Sequence, residues 1–280
     1  MNIVTIYKIG LGLIASNVIT ENIQNNLSNP LPYTTESLDK KITILMTQYN
    51  EEETIQKSLE SLVTQNYYIN NINDVEIMVV SGYSTDNSEN IIQEMSDNYG
   101  IKYMIPPYEK KSLTPSRNYG IQNSIGEIIV NVDADTVYHN NFLDYLLKPF
   151  HAPNVVGVTG LKIEVGSNNF YNKLHTLAST LSQSIKYIPK LDGCVRAFNK
   201  EIYYMIGGLP EAENQYSAKD TLVSEEVEFS KKMSLYGNII YEPRAIGYHY
   251  GTWKYLARST CNINSKNQYC NDMGINKIGF

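Results

Sequence analysis

Asp133-Ala134-Asp135 closes the run Gly126-Glu127-Ile128-Ile129-Val130-Asn131-Val132. The run is short, β-branched and preceded by glycine, which predicts a buried strand. Two carboxylates leaving the C-terminal end of such a strand need a counter-charge. A hard divalent cation with oxygen ligands supplies one, and a bound diphosphate would complete the site. Ligand crevices of open α/β sheets lie at this strand end. The competing reading is structural: an N-cap Asp and a turn Asp before a helix near Asn140.

Other polar groups fall at comparable positions. Met46-Thr47-Gln48-Tyr49-Asn50-Glu51 ends the first apolar strand. Thr47 could hydrogen-bond a base and Tyr49 could stack on it, or the segment is a plain turn capped by Asn50. Ser81-Gly82-Tyr83-Ser84-Thr85-Asp86 ends the second strand. Gly82 permits close backbone approach, and Asp86 reads as a helix cap. Arg117 could reach a diphosphate or be solvated. Glu225 and Glu226 open a predicted helix, where the helix dipole alone favours acidic residues. A carboxylate beside a nucleotide site is also what an acceptor hydroxyl needs as general base. His249 follows the last strand and is either a packed residue or a third metal ligand.

The elements that must position these groups alternate in type. Strands are predicted at Ile42–Met46, Val75–Val80, Ile101–Ile105, the run ending at Val132, and Asn154–Gly160. Helices are predicted at Glu53–Leu62, through Met95, and from Thr114 to Ser124, with Thr114 as N-cap and Pro115 first in the helix. Alternation of this kind implies a mainly parallel, doubly wound sheet with helices on both faces. Beyond Phe170 the pattern changes. A long helical stretch to about Lys186 precedes a Gly-containing segment from Leu191 to Ala197, a short helix and a Gly207-Gly208 turn. A helix from about Leu222 to Leu235 and a last strand, Asn238–Tyr241, lead to Pro243.

The 280 residues suffice for one large α/β domain or two small ones. Acidic residues number 29 against 23 basic ones, and no Lys/Arg block suggests a nucleic-acid partner. Cys194, Cys261 and Cys270 show no metal-type spacing. So sparse and odd a count fits a reducing compartment, and a cytoplasmic location is expected. Residues 3–19 are apolar-rich but interrupted. They read as an interfacial or docking helix, a membrane anchor, or a cleaved signal, the first giving peripheral contact with the cytoplasmic face of a membrane. Residues 1–40 therefore form an apolar segment plus linker, 41–250 a catalytic domain divided near 136, and 251–280 a tail.

Together these motifs resemble glycosyltransferase family 2, from about Lys41 to Tyr250. The matching elements are Tyr49-Asn50-Glu51, Ser84-Thr85-Asp86, Ser116-Arg117-Asn118, Asp133-Ala134-Asp135, and Gly207-Gly208-Leu209-Pro210-Glu211 with Glu225-Glu226-Val227-Glu228-Phe229. The resemblance implies a GT-A fold and a metal-dependent, inverting transfer of one sugar from a UDP- or GDP-sugar to a glycan, lipid or protein acceptor. Thr47, Tyr49, Glu51, Ser81, Arg117 and Asp133 would hold the nucleotide, with Arg117 facing the diphosphate and Asp133 the ribose. Asp135 and His249 would bind Mg²⁺ or Mn²⁺. Glu226, with Glu225 as rival, would deprotonate the acceptor, which Asp192 and Gly193 would help to recognise. Two departures matter. Ser81 stands where the family carries a base-reading Asp, and the catalytic Asp is replaced by Glu. The Gln-x-x-Arg-Trp element and membrane spans of polymer-extruding synthases are not found. A nucleotidyltransferase would need a Gly-rich basic loop after the first strand, and Gln48 to Glu53 lacks it. A silent sugar-nucleotide binding module has only Ser81 in its favour.

Overall fold

The computed structural model describes residues 37–107, 113–165, 176–177, 180–181, 183–184, 188–210 and 225–250. The strands are β1 (Ile42–Gln48), β2 (Val75–Ser81), β3 (Lys102–Met104), β4 (Ile128–Asp133), β5 (Thr136–Tyr138), β6 (Val155–Glu164), β7 (Val195–Asn199) and β8 (Asn238–His249). Between them lie α1 (Ile55–Val63), α2 (Asn66–Asn70), α3 (Ser88–Tyr99), α4 (Leu113–Gln122), α5 (Phe142–Leu147), α6 (Lys200–Met205) and α7 (Glu225–Met233). One sheet takes the strands in the order β3-β2-β1-β4-β7-β6-β8-β5.

The first four strands of that order are mutually parallel, as crossovers through helices require. Side-chain alternation then sorts two cores. Ile42, Ile44 and Met46 of β1 face the layer holding Ile55, Leu59 and Leu62 of α1 and Phe142 to Leu147 of α5. Leu45 faces the opposite layer, with Ile121 of α4, Tyr203 of α6, and Phe229 and Met233 of α7. Every residue of β1 is buried; apart from Thr43, whose hydroxyl donates to Glu76 (2.8 Å), its polar residues Thr47 and Gln48 stand at the C-terminal end.

Several boundaries differ from the sequence expectation. Leu191 to Ala197 includes the start of β7, which lies antiparallel to both β4 and β6. Burial between two strands lets Val195, Ala197 and Phe198 pack, although a short segment with Gly193 and Arg196 carries little strand signal. β6 continues past Gly160 to Glu164, and β8 continues past Pro243 to His249. Proline is admitted because the β6–β8 register shifts between Thr159 and Leu161, opposite residues 242–245. β5 was not expected. It is three residues long and exists through antiparallel pairing with β8. α4 starts at Leu113, one residue before the expected cap Thr114.

The expected segments 1–36, 170–175, 211–224 and 251–280 lie outside the described residues, as do Cys261, Cys270 and most of the helical stretch to Lys186. Among the described residues, no helix is long and apolar enough to cross a membrane.

Gly160 sits in the irregular stretch where β6 passes β8. A Cβ there would collide with the backbone carbonyl oxygen of Ala245. Gly160→Ala is expected to destabilise the domain by about 1–3 kcal/mol, the usual cost of overpacking, read as a lower urea midpoint at unchanged slope.

Candidate functional site

The Asp133-Ala134-Asp135 turn is held by three main-chain anchors. Asp133 N–H donates to the Tyr138 hydroxyl (2.9 Å), the Ala134 carbonyl accepts from Ser58 (2.7 Å), and the Asp135 carbonyl accepts from Tyr250 N–H (2.8 Å). The carboxylates are therefore aimed by the fold rather than by each other. Thr47 is in register with Asp133 across β1 and β4, and Gln48 with Ser81 across β1 and β2. The C-terminal rim of the parallel strands thus gathers the residues that the sequence singled out.

Arg117 lies beneath this rim with its side chain 3% exposed. Its guanidinium meets Asp133 at 2.8 Å and Glu225 at 3.6 Å, and donates to the Gly193 carbonyl at 3.4 Å. A Cβ on Gly193 would stand 2.9 Å from the guanidinium, so glycine is what admits the arginine. Glu225 is also bound by Arg196 at 3.2 Å. Arg196 is fully buried, with Phe198 and Phe229 rings at 5.7 and 5.1 Å. Glu226, the next residue, turns elsewhere. It accepts from Lys190 at 2.6 Å and from Gly193 N–H at 2.9 Å.

The charges continue around the rim in alternation. Lys190 faces Asp192 at 3.5 Å, Asp192 faces Lys162 at 3.9 Å, and Lys162 faces Glu164 at 3.2 Å. Glu164 meets His249 at 2.8 Å, and His249 meets Asp135 at 3.4 Å. Six carboxylates (Asp133, Asp135, Glu164, Asp192, Glu225, Glu226) thus face four permanent cations (Arg117, Arg196, Lys162, Lys190). Their effects on protonation follow. Burial opposes ionisation of Asp192, but Lys162 and Lys190 hold its carboxyl well below the usual range. Burial likewise opposes charge on His249, yet hydrogen bonds to Asp135 and Glu164 push its pKa up to about 10. Burial raises Asp133 against the pull of Arg117, and neighbouring Asp135 raises it further.

A divalent cation suits this geometry. The six carboxylates exceed the four permanent cations by two charges, which a divalent cation would offset. Among the described residues no group of three His, Cys, Asp or Glu side chains converges on one point. The pair Asp135 and His249, 3.4 Å apart, would offer a cation two donors, an oxygen and an imidazole nitrogen, with ligand oxygens as the rest. Divalent sites at nucleotides commonly combine one or two carboxylates with substrate phosphates.

At the other end of the rim Tyr49 is 40% exposed beside Gly82, whose added Cβ would lie 3.4 Å from the Tyr49 Cβ. Thr47 Oγ1 is buried and has no hydrogen-bond partner among the described residues. Ser81 is fully buried. Its hydroxyl accepts from Gln48 (2.7 Å) and donates to Glu89 (3.0 Å). A carboxylate therefore does stand at the end of β2, supplied by α3 rather than by the strand. Asp86 takes the expected capping role, accepting from Ser88 N–H and Glu52 N–H. Glu51 turns to its own helix start, where its carboxylate accepts from Thr54 (3.0 Å).

Sequence reasoning missed Glu89, Lys162, Glu164 and Lys190, and gave Arg196 no charge-pairing role. The signal for two of these was present. Lys162 and Glu164 share one face of a strand at spacing two, and opposite charges at the end of an apolar strand need partners. Ending β6 at Gly160 hid them.

The model of glycosyl transferase family 2 matches residues 43–209. The chain belongs to this family. Among curated members it is 26% identical over 214 residues to poly-β-1,6-N-acetyl-D-glucosamine synthase of Staphylococcus epidermidis, covering 73% of this chain and 48% of that protein. It is 34% identical over 112 residues to glycosyltransferase GlyA of Streptococcus pneumoniae, covering 40% of this chain and 15% of that protein. The chain thus spans about half the length of the synthase it matches. Two solved structures share the fold. The mannosyltransferase PcManGT of Pyrobaculum calidifontis, in complex with GDP-Man and Mn²⁺, has a TM-score of 0.58 at 21% identity, covering 87% of this chain and 67% of that one. TarS 1-349 of S. aureus with UDP-GlcNAc has a TM-score of 0.55 at 17% identity, covering 75% and 58%. The family 2 chain has the GT-A fold of these neighbours.

Glu225→Gln removes the charge that neutralises two buried arginines. It is expected to cost about 2–3 kcal/mol of stability, seen as a lower denaturation midpoint. An unchanged midpoint would contradict the anchoring role of Glu225.

Proposed function

We propose that this chain transfers one sugar from a nucleotide-diphosphate sugar to an acceptor hydroxyl, with a divalent cation, Mg²⁺ or Mn²⁺, at the diphosphate and inversion at the anomeric carbon. The observation that carries the reading is the rim itself. Asp135 and His249 stand 3.4 Å apart, Arg117 bridges Asp133 and Glu225, and Glu226 accepts from Gly193 N–H. In this reading the rim would hold a cation, the nucleotide edge and a carboxylate base within one charge network.

In this reading Asp133 receives the ribose, and Arg117 keeps its carboxylate in place from below. Thr47 and Tyr49 hold the base, with Gln48, Ser81 and Glu89 forming the polar floor beneath it. Asp135 and His249 hold the cation, which when bound acts as a Lewis acid on the leaving diphosphate. Glu226 takes the acceptor proton as the oxygen attacks the anomeric carbon from the face opposite the diphosphate. Glu226 is favoured over Glu225 because Glu225 is tied between two arginines, whereas Glu226 is more exposed, 24% against 14% for the side chain. Lys190 pairs with Glu226 at 2.6 Å, and Asp192 fixes Lys190 from the other side at 3.5 Å. Asp192 and Gly193 border the place where an acceptor would enter. GDP-Man and UDP-GlcNAc, the sugars in the two neighbouring structures, name the donors to try first.

The deciding experiment is donor hydrolysis and transfer with Mn²⁺ across UDP- and GDP-sugars. Turnover of at least one donor is expected, and neither turnover nor binding with any donor would sink the proposal. Asp135→Ala is expected to abolish metal-dependent donor binding, measured calorimetrically with and without Mn²⁺. Glu226→Gln is expected to keep donor affinity and lower kcat by about 10²–10⁴, the usual share of a general base. The same phenotype in Glu225→Gln, at intact stability, would move the base to the neighbouring residue.

A further inference from the structure

His249 is gripped from behind as well as from the front. Its Nδ1 lies 2.8 Å from Glu164 Oε2, and its Nε2 lies 3.4 Å from Asp135 Oδ1. Glu164 and His249 are paired residues of adjacent strands, and Val165 N–H donates to the His249 carbonyl at 2.8 Å. The backbone geometry of the pair is therefore set by the sheet. The Glu164 side chain is 3% exposed, against 18% for Asp135. Its other oxygen meets Lys162 at 3.2 Å. The lysine gives this buried carboxylate an ion-pair partner on the side away from His249.

An imidazole can donate to a metal only through a ring nitrogen that carries no proton. When a cation takes the place of the Nε2 proton, a carboxylate facing Nδ1 holds the remaining proton there and leaves the Nε2 lone pair free on the Asp135 side. We infer that Glu164 is a positioning residue for the cation site: it fixes the tautomer and ring orientation of His249, and Lys162 holds it in register for that task. The inference rests on the metal-dependent reading above. It extends the site to a residue on a different strand that would touch neither donor nor cation.

The test measures Mn²⁺ retention, not turnover. Mn²⁺ is titrated into the full chain in the presence of UDP and, separately, of GDP, and free Mn²⁺ is read by electron paramagnetic resonance. Glu164→Met is expected to weaken Mn²⁺ binding roughly ten- to a hundred-fold, with the far-ultraviolet spectrum unchanged. Glu164→Gln keeps an oxygen that accepts from Nδ1–H and is expected to stay within a few-fold of the unmodified protein. Unchanged binding in Glu164→Met overturns the inference, and so does an equal loss in both variants. If the unmodified protein retains no Mn²⁺ with either nucleotide, the metal reading itself fails, and Glu164 with it. If Glu164→Met does not fold, proton–nitrogen correlation spectra of the unmodified protein with Mg²⁺ and nucleotide decide. A protonated Nδ1 and bare Nε2 are expected for His249, and the opposite tautomer overturns the proposal.

Discussion

Carboxylates crowded onto the rim of a buried sheet repel one another unless each is given a cation, and this family 2 domain meets that constraint by alternating charge along the rim. From Asp133 through Arg117 to Glu225, and from Glu226 through Lys190, Asp192, Lys162 and Glu164 to His249 and Asp135, signs alternate at distances of 2.6 to 3.9 Å. No single pair among them is a strong stabiliser, since desolvation offsets much of the Coulomb gain. Their joint effect is geometric. Each side chain has one low-energy place, because moving it would leave a neighbour unpaired in a poorly solvated setting.

The sheet supplies this array through its change of direction. Four parallel strands bring Thr47, Ser81 and Asp133 to one edge. The antiparallel β7 then carries the chain back through the core, so that Gly193 precedes it at the same edge and Arg196 lies within it. β6 and β8 end together and deliver Glu164 and His249 side by side. From the helices, α1 reaches the rim through Ser58, and α7 through Glu225 and Glu226.

The parallel half of this plan was readable in the sequence. Ile42–Gln48, Val75–Ser81 and Ile128–Asp133 are apolar runs of strand length that break into polar residues, and the hydrophobic pattern alone marks both the strand and its functional end. The second half was not readable in the same way. β5 has three residues and takes its stability from β8. β7 contains a buried arginine, and β8 contains a proline. Each gains its identity from a partner distant in sequence, which a local pattern does not register. The site divides likewise. Thr47, Tyr49, Asp133, Asp135 and His249 were singled out in the sequence because they lie at or just beyond strand ends. Lys162, Glu164 and Glu89 escaped because their roles arise from pairing across the sheet or through Ser81. Arg117 was expected at the diphosphate and sits 3% exposed under Asp133, a burial that its polar, loop-flanked sequence setting did not signal.

Glu225 and Glu226 are consecutive residues on the first turn of a helix, where neighbours point about 100° apart. One faces Arg117 and Arg196 in the interior; the other faces Lys190 and Gly193 at the open side. The helix cannot rotate to re-aim the outer carboxylate without pulling the inner one from its arginines. The direction of the proposed base is therefore decided when the chain folds, before any acceptor arrives. In that proposal an acceptor would have to come to the base, its hydroxyl selected by whether it reaches a fixed point beside Gly193.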